Sequence, residues 1–335
     1  MATVARFSTP ENLDFLLDSG LTDFSPNTHN LSIGFFSSIT ELRFDNASIF
    51  LKRGAGINHQ FTGQRRTRLF LEILPEKVDA VKFLIDNNAD VNLVTSEDGS
   101  PLLLAVHKDN VEIIELLMRS ERVKFTIINN KKFSPVNVAI SLGKLKALAA
   151  ILDNGFSNDY YTIEGYSLLQ FAALDGSLET LKFLINSGFK FITYTGTVSY
   201  ALHLATRRSK TETVKFLLEY GADPYEPMIP VTVGSVKRLF PRYASRIVQS
   251  DPAIILAILQ GDFDCFKVFL DAGMNPNSRI FGSTCSILHL VCEEGNVQMA
   301  AYLITMGADT RTRDSSRKSP FDYTTKDFTN QVFNY

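Results

Sequence analysis

Tyr200-Ala201-Leu202-His203-Leu204-Ala205, followed after a short polar turn by Val214-Lys215-Phe216-Leu217-Leu218-Glu219-Tyr220-Gly221, decides the fold. One apolar block closes on a small residue, Ala205, and the next closes on a glycine, Gly221, 16 residues later. Steps of 33 or 34 residues back from Ala205 reach Ala172, Ala139, Ala105, Glu72 and Ser38. Forward, one step of 52 reaches Ala257, and Val291 and Thr324 follow. The counterparts of Gly221 are Gly188, Gly155, Glu121, Asn88, Gly54 and Gly20, then Gly273 and Gly307. In all eight units that carry both markers the separation is 16 residues, so the chain is an array of repeats.

The apolar positions keep the same phase. Three residues before the small marker stand Phe35, Leu69, Leu102, Val136, Leu169, Leu202, Ile254, Leu288 and Phe321. Positions three, four and seven before the glycine marker are apolar in every unit, as at Leu218, Leu217 and Val214. Those offsets put them on one helical face. Each unit therefore reads as a short helix with a small residue at its close-approach point, a turn, and a leucine-rich second helix. Glycine then ends the second helix in the left-handed region, where Asn88 is a tolerated substitute and Glu121 is not.

Fragments of a known signature sit in that phase. Ser100-Pro101-Leu102 and Ser134-Pro135-Val136 carry its first half, and Leu202-His203-Leu204-Ala205 and Leu288-His289-Leu290 its second. Gly221-Ala222-Asp223 and Gly307-Ala308-Asp309 close their units alike. The chain resembles the ankyrin repeat family over roughly residues 10 to 330. The resemblance implies an all-α ankyrin-repeat solenoid of about eight full helix-turn-helix repeats.

The whole of 1–335 reads as one solenoid: a terminal half repeat at 10–22 without a recognisable first helix, repeats over 33–223, an insertion at 224–251, repeats over 252–310, and a second half repeat at 319–335 ending in Phe328, Val332 and Phe333. The step of 52 holds about 19 extra residues, opening with Pro224, Pro227 and Pro230, which discourage helix. From 227 to 250 it carries Lys237, Arg238, Arg242 and Arg246 and no acidic residue. Two readings stand: a cationic contact for an acidic partner, or a solvated loop with a short amphipathic helix laid over the adjacent repeat.

Composition narrows the function classes. The chain has 335 residues, 45% apolar and 21% charged, as a soluble globular protein does. A net charge of -2 gives no global field towards nucleic acid or anionic lipid. Three cysteines, Cys265, Cys285 and Cys292, make no disulfide framework and fit a reducing compartment. The N-terminal stretch lacks the apolar core of a secretory signal, and no run of 18 apolar residues spans a membrane. The expectation is a cytoplasmic or nuclear monomer.

No catalytic or metal constellation emerges: there is no His-Glu-x-x-His, no Cys-x-x-Cys pair, no phosphate-cradling loop and no Gly-x-Ser-x-Gly. Gly54-Ala55-Gly56 is the repeat's own turn. No cofactor is expected. The family resemblance makes His203 and His289 structural, bonding neighbouring backbone, whereas His107 stands at a variable position. Asp90-Val91-Asn92 resembles the context in which asparaginyl hydroxylases modify ankyrin proteins.

The resemblance also places a partner in a concave groove, on the two residues that follow the small-residue pair. Here these are His107-Lys108, Ser141-Leu142, Leu174-Asp175, Arg207-Arg208, Leu259-Gln260 and Glu293-Glu294. Their changing character suits a polypeptide better than a uniform polyanion. The loops add Phe156, Tyr160, Tyr161 and Tyr166, then Phe189, Phe191, Tyr194 and Tyr200, either as binding hot spots or as packing between loops. The leading expectation is a protein-interaction scaffold or adaptor: a recruiting subunit, an inhibitor, or an effector acting in a host cell. Nucleic-acid binding through Arg207, Arg208 and the insertion is the alternative, weakened by the neutral overall charge. An enzyme built on the insertion lacks a nucleophile or general-base cluster.

Overall fold

The computed structural model describes residues 2–19, 28–60, 66–95, 99–120, 123–124, 134–154, 156, 162, 165–191, 198–226, 252–280 and 284–335. Each repeat folds as two short helices, and the local chemistry sets both ends. Several inner helices open on serine caps. The Ser100 hydroxyl accepts from Leu103 N at 3.2 Å with Pro101 in the first turn, and Ser167 and Gln170 form a reciprocal capping box. Several outer helices open on a short polar residue, as where Asn296 Oδ1 accepts from Met299 N at 3.0 Å. Gly221 ends its outer helix at φ +102°, and Ala222 N closes on Leu217 O at 2.9 Å. Asn88 takes the same left-handed place at φ +67°.

The chain divides into two compact units, residues 1–159 and 160–335. In the first, α1 (Ala2–Phe7), α3 (Thr28–Thr40), α5 (Arg68–Ile73), α7 (Pro101–Lys108) and α9 (Pro135–Ser141) are the inner helices. Their outer mates are α2 (Pro10–Asp18), α4 (Phe44–Lys52), α6 (Val78–Asp86), α8 (Val111–Arg119) and α10 (Leu145–Asp153). In the second, α11 (Leu168–Asp175), α13 (Val198–Arg207), α15 (Ala253–Gln260), α17 (Ile287–Glu293) and a 3-10 turn (Pro320–Tyr323) are inner. There α12 (Leu178–Asn186), α14 (Thr211–Glu219), α16 (Phe263–Asp271), α18 (Val297–Thr305) and α19 (Lys326–Phe333) are outer. The fold is an all-α ankyrin-repeat solenoid.

The core lies between the two layers of each unit. Residues four and seven before the glycine marker are fully buried in eight successive repeats, from Phe50 and Ala47 onward. The position three before is different. It is half-buried at Leu51, Leu152, Ile185, Leu218 and Ile304, because it flanks the seam where neighbouring outer helices meet.

The two ends correct the sequence reading. The unit at 10–20 does have a first helix, α1, whose Ala5 is fully buried and which packs on α3. Asn46 Nδ2 donates to Ala5 O and Ser8 O, each at 3.1 Å. Six residues are too few to leave a periodic signature. At the other end the 3-10 turn and α19 complete a helix pair; Phe328 and Val332 are buried, but Phe333 is 61% exposed. Around the extra segment, α13 packs on α15 and α14 on α16. Thr211 Oγ1 lies 3.5 Å from Cys265 Sγ, and Asn275 N donates to Tyr225 OH at 2.7 Å. The added length therefore does not separate the repeats that it joins. Among the described residues no helix is long and apolar enough to cross a membrane.

Candidate functional site

The helix ends at the turn between inner and outer helices carry the exposed charge. In the second unit, α11 ends at Asp175 and α13 at Arg207, with Arg208 one residue beyond. Arg208 Nη2 lies 3.1 Å from Asp175 Oδ1, so a charged pair links the tips of successive repeats. Lys210 Nζ donates to the Gly176 carbonyl, which caps the C-terminal end of α11. Gln260 Nε2 donates to Arg207 O at 3.0 Å and fixes the next tip.

Arg207 is half-buried. Burial lowers its pKa, the field of Tyr166 and Tyr200 opposes that, and Arg208 adds to it. Tyr166 and Tyr200 are themselves buried, with ring centroids 6.4 Å apart in a stacked arrangement. The pKa of Lys210 is lowered by burial as well, against the attraction of Asp175. Arg208 and Lys210 thus lie in the field of the Asp175 carboxylate, and Arg207 beside them lies in that of the buried Tyr166 and Tyr200.

The other residues read from sequence are distributed differently. His107 and Lys108 are exposed at the tip of α7, in the first unit. Leu142 is 50% exposed, but Leu174 and Leu259 are each only 7% exposed. Leu174 therefore packs into the unit instead of facing a groove, because the penultimate side chain of α11 turns back between helices. Glu293 is exposed and Glu294 half-buried. Of the loop aromatics, Tyr166, Phe189 and Tyr200 pack inside the unit. Tyr160, Tyr161, Tyr194, Lys237, Arg238, Arg242 and Arg246 lie outside the described residues. Sequence reasoning missed Lys210. The signal was there, since Lys77, Lys144 and Lys210 recur immediately before alternate outer helices, and Lys77 Nζ likewise donates to Thr40 O at 2.9 Å.

Two histidines tie backbone together. His203 Nδ1 donates to Ser199 O at 2.8 Å within its own helix. His289 Nδ1 accepts from Ser286, while its Nε2 donates to Lys318 O at 3.1 Å in the next repeat. Asn92 Oδ1 accepts from Lys124 N at 2.8 Å, and Asp90 N donates to Asn58 Oδ1 at 2.8 Å, so these side chains stitch successive loops. Burial pushes the Cys265 and Cys292 thiols up to about 12, far from thiolate formation at neutral pH. Among the described residues no cluster of three or more His, Cys, Asp and Glu side chains is arranged to hold a metal ion.

Known proteins share this architecture. A family model described as ankyrin repeats in three copies matches residues 69–162 and 156–227. An ankyrin repeat protein of Acanthamoeba polyphaga mimivirus is 22% identical over 132 residues, which is 39% of this chain and 38% of that relative. The chain therefore matches well under half the length of that relative. Among solved structures, the ankyrin repeat domain of human ASB11 superposes with a TM-score of 0.52 at 20% identity, covering 70% of this chain and 97% of that domain. Repeat phase, left-handed helix ends, histidine staples and these matches agree: residues 69–227 carry ankyrin repeats, and the described chain has the ankyrin-repeat fold.

Proposed function

We infer that the chain is a non-catalytic protein-interaction module, and that an acidic stretch of a partner polypeptide rests on the tips of α11 and α13. The observation that carries this is the Arg207, Arg208 and Lys210 cluster, held by fixed contacts to Asp175 and Gly176. Arginine near buried tyrosine is the composition of an interface hot spot, and helix ends hold it rigidly. In sequence, the basic residues Lys237, Arg238, Arg242 and Arg246 follow this repeat directly and extend the same charge. Lys108, with His107 exposed beside it, gives the first unit its own cationic tip. A recruiting adaptor, an inhibitor or a host-directed effector would each use such a surface, and the buried thiols of Cys265 and Cys292 accord with work in the cytosol or nucleus.

The test is affinity capture from cell lysate with Arg208→Glu. Its pair with Asp175 is 51% and 28% exposed, so the reversal leaves folding close to intact. Arg207 is half-buried, so reversing it as well lowers stability and serves only as a second variant. Partners retained on wild type are expected to be lost from Arg208→Glu at an unchanged melting temperature. Undiminished capture refutes the placement. A steep log-log salt dependence together with nucleic acid in the captured fraction would favour the alternative reading.

A further inference from the structure

On the outer face of the second unit, a lysine of one repeat meets a ring of the next, and at one seam the ring is absent. Lys182 Nζ on α12 lies 5.2 Å from the ring centroid of Phe216 on α14. Lys267 Nζ on α16 lies 5.8 Å from the ring of Tyr302 on α18, whose hydroxyl donates to Asp271. Lys182, Lys215 and Lys267 all stand six residues before their glycine markers, and Phe216, Val268 and Tyr302 five before theirs. Between α14 and α16 the ring position is therefore taken by Val268. A cavity of about 430 Å³ remains there, lined by Lys215, Leu218, Glu219, Val268, Asp271 and Ala272.

The next seam shows what such a place holds. Lys215 and Glu219 occupy the repeat positions that Lys267 and Asp271 occupy around Tyr302. The apolar floor of Leu218 and Val268 is half-buried, while Lys215 and Glu219 are exposed at the rim. We propose that this cavity is a docking slot for a tyrosine side chain of a partner protein. The ring lies on Leu218 and Val268 with the Lys215 ammonium over its face, and the hydroxyl donates to Glu219. Phenylalanine leaves that acceptor unused. A phosphorylated ring is repelled by Glu219 and Asp271. The slot is on the outer layer and is independent of the tips of α11 and α13.

The experiment titrates the full chain with N-acetyl-tyrosinamide and follows methyl resonances by NMR. Saturable shifts are expected at Leu218, Val268 and Ala272. The phenylalanine analogue is expected to bind roughly tenfold more weakly, the worth of one hydrogen bond to a charged group, and the phosphotyrosine analogue not at all. Val268→Tyr fills the slot from within and abolishes the shifts. Glu219→Ala, at an exposed site, keeps binding but erases the preference for the hydroxyl. The proposal is overturned if no saturable shift appears, if both analogues bind equally to wild type, or if binding survives in Val268→Tyr. It is also overturned if shifts appear only after Phe240→Ser and Tyr243→Ser, two aromatic residues of the 224–251 insertion, which would make that segment the occupant.

Discussion

The sharpest stability test concerns Glu72. This residue occupies the slot that holds Ala105, Ala139, Ala172, Ala205 and Ala257 in other repeats, and it is 1% exposed. Its carboxylate touches the guanidinium of Arg68, whose side chain is 12% exposed, and lies 3.8 Å from Lys77 Nζ. Arg68 also donates to Thr40 Oγ1 at 2.6 Å and lies over the Phe36 ring. Burial raises the Glu72 pKa, opposed first by Arg68 and then by Lys77; burial likewise lowers that of Arg68. Both directions mean that desolvation of the pair exceeds its attraction. Arg68→Leu removes the larger counterweight and strands a buried carboxylate, at a cost of about 3–5 kcal/mol near neutral pH. The stranded carboxyl has a folded pKa well above its unfolded one, so the folded chain binds the extra proton between the two. Stability of the variant then falls as pH rises through that window, and below it the loss is small. Arg68→Leu/Glu72→Ala restores the family's alanine and is expected to match or exceed wild type, by up to about 4 kcal/mol. Urea unfolding at about pH 5 and about pH 8 reads all three. A loss under about 1 kcal/mol for Arg68→Leu, a loss independent of pH, or a double variant no better than the single one would refute the reasoning.

Two further outcomes follow from close packing and backbone geometry. A Cβ on Gly34 would collide with the ring of Phe50, which is fully buried against α3, so Gly34→Ala is expected to lower stability by about 1–3 kcal/mol in urea unfolding; a neutral result would mean that the α3–α4 seam opens freely. Leu42 turns between α3 and α4 at φ +55° and is 46% exposed, whereas Gly143, Gly261 and Gly295 fill that turn elsewhere. Leu42→Gly is expected to stabilise by about 0.5–1 kcal/mol, and a lower melting temperature would show that the leucine side chain holds the turn.

Much of the fold was legible because its signals are local. Gly221 and Asn88 mark helix ends through their own backbone freedom, and Ser100 and Ser167 open helices through bonds three residues away. The phase of those signals needs no knowledge of neighbours. The candidate site was less legible. The repeat phase locates Arg207 and Arg208, but Leu174, which that phase assigns to the groove, is buried, and Lys210 escapes notice because its partner is the Gly176 carbonyl of the preceding repeat. The first helix, Ala2–Phe7, escaped because one and a half turns carry no period.

By itself the sequence determined the helix pairs from the second repeat onward and their order, since caps, glycines and apolar spacing act within about four residues. Only the tertiary structure decided that Glu72 is paired by Arg68, that Tyr166 and Tyr200 are packed away, and that Val268 leaves a gap beside Lys215. Side-chain exposure and vacancy at a seam depend on what a neighbouring repeat places there, about 33 residues or more along the chain, and no local rule carries that far.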